Sequence, residues 1–225
     1  MVGGGVFEPE STHRKTVDLI PAGVDWIAQS ATGFAPDDNS VSLDNDTSLI
    51  YGHLVVAPGL KLDWNAVEGL EETLGKNGVT SNYRYDLAPY TWELVQGHKS
   101  GRAIFSQPPM PIKCAGAPQK AMYLSCDAWA DRGVLGDIDV EFRNAGGVLF
   151  GVKEYVPALM EYVEKYGIDL KLNQTLVAVD GPAKTATFKT EAGEEVVAFD
   201  MLHVVPPQVA PQFVADSPLA HAESG

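Results

Sequence analysis

The chain has 225 residues, 45% of them hydrophobic and 20% charged, with a net charge of −14. That is an ordinary globular composition with room for one large domain or two small ones. The acidity, with no basic run, speaks against a nucleic-acid-binding role. No stretch approaches the about 18 apolar residues of a membrane span, and the residues after Met1 do not read as a signal peptide. Two cysteines do not make a disulfide framework, and no set of His, Cys, Asp and Glu has metal-ligand spacing.

Residues 1–23 read as irregular. Gly3-Gly4-Gly5 lacks the spacing of a dinucleotide fingerprint and reads as a turn. Val24-Asp25-Trp26-Ile27 is strand-like, Pro36-Asp37-Asp38-Asn39-Ser40 is a turn cluster, and Val41-Ser42-Leu43-Asp44 alternates apolar with polar. Asn45-Asp46-Thr47-Ser48 reads as another turn. His53-Leu54-Val55-Val56-Ala57 is a continuous apolar run of the kind that forms a buried parallel strand, and it ends in Pro58-Gly59. Residues 60–97 read as a linker broken by Gly69, Gly75 and Gly78, followed by a helix over 88–96 with Trp92 on its apolar face.

From Gly101 onward strands and helices alternate: a strand over 102–106, a loop, a helix over 118–132, a strand over 138–142, a helix over 153–166 and a strand over 168–172. In the second helix Tyr155, Val156, Leu159, Val163 and Tyr166 recur at helical spacing, Pro157 fits if it lies in the first turn, and Gly167 suits the position just past the helix end. This alternation predicts a parallel sheet with helices on its faces.

The loop in this region carries Cys114. Pro118 suits a first helical turn, so Cys114 sits just ahead of a helix N-terminus, with Lys113 and Lys120 on either side. The helix dipole and both lysines bring positive charge of the sign that attracts a sulfur anion. An inert buried cysteine is the plainer reading. Cys126 falls roughly 12 Å up the same helix, beyond the about 7 Å that a disulfide spans, and reads as a small core residue. Lys120 reads either as a partner of the sulfur or as a solvated lysine at a helix start. His203, inside the apolar run Leu202-His203-Val204-Val205, reads as a core histidine, with proton relay as the alternative.

The chain also repeats itself. Gly23-Val24-Asp25-Trp26 resembles Gly167-Ile168-Asp169-Leu170. Tyr51-Gly52-His53-Leu54-Val55-Val56-Ala57-Pro58-Gly59 resembles Phe199-Asp200-Met201-Leu202-His203-Val204-Val205-Pro206-Pro207. The offset stays between 144 and 148 positions. Each copy reads as a β-flap followed by a closing strand. The second copy is preceded by its own strand–loop–helix unit and the first is not, which leads to the expectation that the chain is a piece of a longer protein.

Two such units, each with a β-flap, resemble the layout of two-domain flavoprotein disulfide reductases. The run Lys113-Cys114-Ala115-Gly116-Ala117-Pro118-Gln119-Lys120-Ala121-Met122-Tyr123-Leu124 resembles the cysteine loop of sulfide:quinone oxidoreductases of the mitochondrial-type branch. Phe150-Gly151-Val152-Lys153, Met201-Leu202-His203-Val204 with Pro206-Pro207, and Thr80-Ser81-Asn82-Tyr83 resemble the same branch. The resemblance implies a three-layer α/β fold of two Rossmann-like units, the first incomplete. It implies a partial FAD-binding domain over 1–97, a second, NAD-binding-like domain over 98–207, and a tail over 208–225. It further implies FAD as cofactor, with sulfide oxidised to persulfide or polysulfide, a small sulfur acceptor, and quinone as electron sink. Cys114 and Lys120 would be catalytic. Its partner cysteine would lie in a C-terminal part that this chain lacks. Val56-Ala57-Pro58-Gly59 would match the flavin domain's closing strand, with Pro58 in place of the usual threonine, so that Ala57, Pro58 and Gly59 offer FAD only their backbone. Ala31 would meet the adenine. Localisation would be peripheral on an inner membrane of bacterial or mitochondrial type, attached through a region absent here, with this stretch itself soluble and homo-oligomers possible.

The cysteine loop lacks G-x-G-x-x-G and so makes a poor pyrophosphate cradle, which speaks against NAD(P)H and against a type II NADH dehydrogenase. A flavocytochrome-type sulfide dehydrogenase is a related enzyme reading. The competing reading from another class is a non-catalytic flavin-fold module that only packs or binds a partner.

Overall fold

A computed structural model describes residues 1–221, so the last four positions of the expected tail lie outside the described residues. The chain forms two compact units, residues 13–62 with 208–225, and residues 1–12 with 63–207. The boundary expected at 97/98 falls inside the second of these.

The smaller unit is a flap of three antiparallel strands, β1 (Ala31–Ala35), β2 (Ser40–Leu43) and β3 (Ser48–Ile50). Val41 and Leu43, the apolar members of the alternating run, are buried. Phe34 stacks on Phe213 at 5.7 Å. The short strand β4 (Lys61–Leu62) pairs antiparallel with residues 208–209. Two expected strands of this unit do not form. Residues 24–27 and 53–57 are irregular, and Val55 is 90% exposed. An apolar run becomes a strand only when a neighbour takes up its N–H and C=O groups. Among the described residues none pairs with 53–57.

The larger unit begins with a turn over 2–5 and one turn of helix, α1 (Pro9–Thr12). Residues 60–87 are less of a linker than expected: they hold α2 (Leu70–Thr73) and β5 (Val79–Thr80). Then follow α3 (Ala88–Gly97), β6 (Gly101–Gln107), α4 (Ala117–Asp131), β7 (Ile138–Asn144), α5 (Val156–Tyr166) and β8 (Asp169–Leu172). A second flap is made by β9 (Thr175–Asp180), β10 (Thr185–Thr190) and β11 (Gly193–Ala198), and the closing strand is β12 (Met201–His203). The five-stranded sheet runs β5-β12-β6-β7-β8, and every neighbouring pair is parallel. Pro157 does lie in the first turn of α5, and Gly167 follows its end in the left-handed region at φ 65°.

Strand alternation decides which residues face which layer. Ala103, Phe105, Val140, Phe142 and Met201 pack against α3, α4 and α5, together with Trp129, Met122 and Cys126. Ile104 and Leu202 point the other way, onto Leu176, Val179, Ala186, Phe188 and Val197 of the flap. The unit therefore has three layers, helix–sheet–flap. The longer helices α3, α4 and α5 cover one sheet face, and the flap strands, joined by Leu70 of α2, close the other.

Candidate functional site

In open parallel sheets, ligand chemistry gathers outside the C-terminal ends of the strands, where loops of successive units converge. Here the loop after β6 carries Cys114, and the loop after β7 carries Phe150. Asn144 holds the second loop from within: its Nδ2 donates to the Val148 carbonyl at 2.9 Å, and its Oδ1 accepts from the Gly146 N–H at 2.8 Å. Gln119 in the first turn of α4 donates to the Leu149 carbonyl at 2.8 Å. The two loops are thus tied together beside the helix start.

Cys114 is exposed and free, with φ 59°. Its carbonyl accepts from the Ala117 N–H at 2.8 Å, the bond that turns the loop into α4. Lys120, one turn into that helix, places Nζ 3.7 Å from Cys114 Sγ. The expected pair is therefore brought together, with the side chain of Lys120 exposed on the same face. Cys126 is a core residue, fully buried, and burial with the nearby Asp127 carboxylate pushes its thiol up to about 12. The two cysteines form no disulfide.

Sequence reasoning reaches Tyr83 only as the last residue of Thr80-Ser81-Asn82-Tyr83. Its hydroxyl lies 2.7 Å from the Lys113 carbonyl and 3.1 Å from that of Cys114. Burial, with the Cys114 sulfur nearby, raises its phenol well above the ordinary value, so the hydroxyl keeps its hydrogen. His203 is buried and stacks on Phe105 at 5.8 Å. Its Nε2 accepts from the Asn82 N–H at 3.0 Å. That supports the reading of a core histidine: burial lowers it to about 4, and its second nitrogen has no partner among the described residues.

Between the loops lies a cavity of about 310 Å³ lined by Gln107, Pro108, Met110, Ala115, Phe150 and Val152. A neighbouring one of about 250 Å³ takes in Lys120, Tyr123, Phe150, Tyr155 and Leu159. Both are mainly apolar. A cavity of about 520 Å³ beside α2 and the flap is lined by Glu72, Lys76 and Asp180, and shares no residue with the cysteine loop. No group of three or more His, Cys, Asp and Glu suited to a metal ion occurs among the described residues.

For FAD, the residues in the smaller unit give a poor fit. Ala31 opens β1, while Ala57, Pro58 and Gly59 lie in an exposed irregular segment. A dinucleotide cradle needs a strand, a tight turn and a helix N-terminus in succession. Among the described residues the helix of this unit is the four-residue stretch Gln212–Ala215. These residues do not build a FAD site by themselves.

No family model matches the chain. The mitochondrial sulfide:quinone oxidoreductase of Dictyostelium discoideum is 39% identical over 226 residues, which cover 100% of this chain and 50% of that protein. Over its whole length the chain is thus similar to one half of a sulfide:quinone oxidoreductase. The mitochondrial sulfide:quinone oxidoreductase of Mus musculus is 36% identical, over 98% of the chain and 50% of the relative. The chain thus spans about half the length of the curated relatives it matches. Among solved structures, the sulfide:quinone oxidoreductase of Aquifex aeolicus superposes with a TM-score of 0.68 at 21% identity, over 84% of this chain and 44% of that one. A chain of the mitochondrial ATP synthase of Tetrahymena thermophila superposes with a TM-score of 0.77 at 20% identity, over 100% of this chain and 58% of that one. At such identities these two show a shared fold. No helix among the described residues is long and apolar enough to cross a membrane.

Proposed function

We propose that this chain is the sulfur-handling half of a flavoprotein that oxidises sulfide to a protein-bound persulfide and passes the electrons through FAD to quinone. The observation that carries the reading is the Lys120 Nζ, 3.7 Å from an exposed Cys114 Sγ at the mouth of α4. Joining hydrosulfide to a cysteine thiolate as a persulfide anion releases one proton and two electrons. FAD is the group that would take up that electron pair. The chain's own part is the sulfur. Cys114 is open to a small anion, and Lys120 with the start of α4 brings positive charge to the persulfide that forms.

The similarity to sulfide:quinone oxidoreductases supports sulfide and quinone as substrates; a small sulfur acceptor would be the next partner. Ala31, Ala57, Pro58 and Gly59 would touch FAD through backbone only, at the margin of a site completed by other parts of the protein. Attachment to a mitochondrial-type membrane belongs to the same reading.

In a protein that spans the full length of the family, sulfide is expected to bleach the flavin absorbance, and Cys114→Ser to abolish that bleaching. Normal flavin reduction in the variant would remove Cys114 from the reaction. A second reading, a non-catalytic module, is favoured by one observation: the chain's other cysteine, Cys126, is fully buried and cannot reach a redox partner's role. A chain that purifies without flavin and leaves sulfide unoxidised fits that reading for this stretch taken alone.

A further inference from the structure

Cys114 occupies a backbone conformation that side chains with a Cβ avoid. Its φ of 59° lies in the left-handed region, disfavoured for such a residue by roughly 1–2 kcal/mol. Something must hold it there. Within the loop, the Ala117 N–H grips the Cys114 carbonyl. The second grip comes from outside the loop, from the Tyr83 hydroxyl set between the carbonyls of Lys113 and Cys114 at 2.7 and 3.1 Å. Those two carbonyls bracket the Cys114 backbone, so one shared hydrogen restrains the rotations that aim its side chain.

Tyr83 is itself rooted in the sheet. Thr80 ends β5 and pairs with His203 of β12. Ser81 is fully buried, and its hydroxyl accepts from the Tyr83 N–H at 3.2 Å. The intervening Asn82 N–H is taken by His203 Nε2. A phenol on so fixed an arm acts as a rigid stop and not as a mobile surface group.

We propose that Tyr83 is a positioning residue for the sulfur: by clamping the carbonyls on either side of Cys114 it keeps Sγ turned toward Lys120 Nζ. This rests on the reading of Cys114 and Lys120 as the sulfur-handling pair. Tyr83 does not touch the reacting atoms; it acts through the backbone of Cys114, and its effect requires the lysine to be there.

The test is the rate at which iodoacetamide alkylates Cys114 in the intact chain at neutral pH, followed by mass. Cys126 is fully buried and does not interfere. Four proteins are compared: the parent, Tyr83→Phe, Lys120→Met, and the double variant. Tyr83→Phe is expected to slow alkylation roughly three- to tenfold, as for residues coupled through one contact, and to slow it no further once Lys120 is methionine. A rate for Tyr83→Phe within about twofold of the parent overturns the proposal. So does an equal slowing in both backgrounds, which would mark a general loosening of the loop. If Lys120→Met alone leaves the rate unchanged, the sulfur–lysine reading itself fails, and that outcome is separate from anything Tyr83→Phe shows. Should Tyr83→Phe not fold, 3-fluorotyrosine placed at 83 keeps the ring and the O–H donor. It is expected to match or exceed the parent rate, and a drop would overturn the clamp.

Discussion

The guanidinium of Arg143 lies 4.6 Å from the centre of the Phe188 ring, and this contact joins the parallel sheet to its flap. Arg143 is 1% exposed. Its Nε donates to Glu141 at 2.6 Å, and its Nη1 lies 2.7 Å from Gln174 and 2.8 Å from Glu195. A cation this deep is tolerable because Nε and Nη1 meet acceptors while the guanidinium meets a ring. It follows that the partners are unequal. Glu141 is buried with Arg143, whereas the Glu195 side chain is 49% exposed.

Removing Arg143 leaves the Glu141 carboxylate buried beside a half-exposed Arg102. Arg143→Met is therefore expected to lower unfolding stability by about 3–5 kcal/mol. Glu195→Gln should cost less than about 1 kcal/mol, since water already screens that carboxylate. Urea titrations of both variants decide this. Equal losses would mean that burial of the pair is not what sets its worth.

Much of the larger unit could be read in the chain. The strand-like run over 102–106 and the helical spacing in α5 express the faces that the fold buries, and Pro157 and Gly167 mark the ends of α5 through backbone geometry alone. The juxtaposition of Cys114 and Lys120 follows from one helical turn. What could not be read depends on partners distant in sequence. Val55 and Val56 have a strand's composition, yet a strand exists only beside another. Tyr83 lies about thirty positions from the loop it holds, and no local pattern marks a phenol that will meet a carbonyl. The flap's cover of one sheet face was hidden for the same reason: β-pairs such as Phe188 with Leu176 are set by register, not by composition.

Gly167 offers a clean measure of one such local rule. It sits at φ 65°, where its N–H and that of Ile168 close the end of α5 on the Glu164 and Val163 carbonyls. Nothing crowds the space a Cβ would fill. Gly167→Ala should therefore cost only the left-handed strain, about 1 kcal/mol, with α5 retained by circular dichroism. A loss several times larger would point to packing that the open space around the residue does not account for.

The two cysteines should separate by chemistry as they do by position. Cys126 is fully buried, with its thiol pushed up to about 12, while Cys114 is open to solvent. N-Ethylmaleimide at neutral pH is expected to add once per folded chain, at Cys114, and twice in denaturant. Peptide mapping that found Cys126 labelled in the folded chain would contradict the packing of α4, through Trp129, against Phe105.

His203 makes stability depend on acid in a defined window. Burial lowers it from the ordinary 6.5 to about 4, and its Nε2 must stay unprotonated to accept the Asn82 N–H. Above pH 6.5 the residue is neutral in both folded and unfolded chains and adds no pH dependence. As pH falls from 6.5 toward 4, the unfolded chain binds a proton that the folded one refuses, so stability drops. The loss reaches on the order of 3 kcal/mol and levels off below pH 4, where both states are protonated. Carboxylates such as Glu195, lowered by Arg143, lose their contribution at lower pH still. The comparison that isolates the histidine is therefore the difference between parent and His203→Gln, by urea unfolding at several pH values. The parent should lose its advantage between pH 6.5 and 4 and show a flat difference above that range. A difference that stays constant through the window would mean that the imidazole takes up its proton without leaving its place between Phe105 and Asn82, and that the arm carrying Tyr83 is not anchored by a neutral histidine.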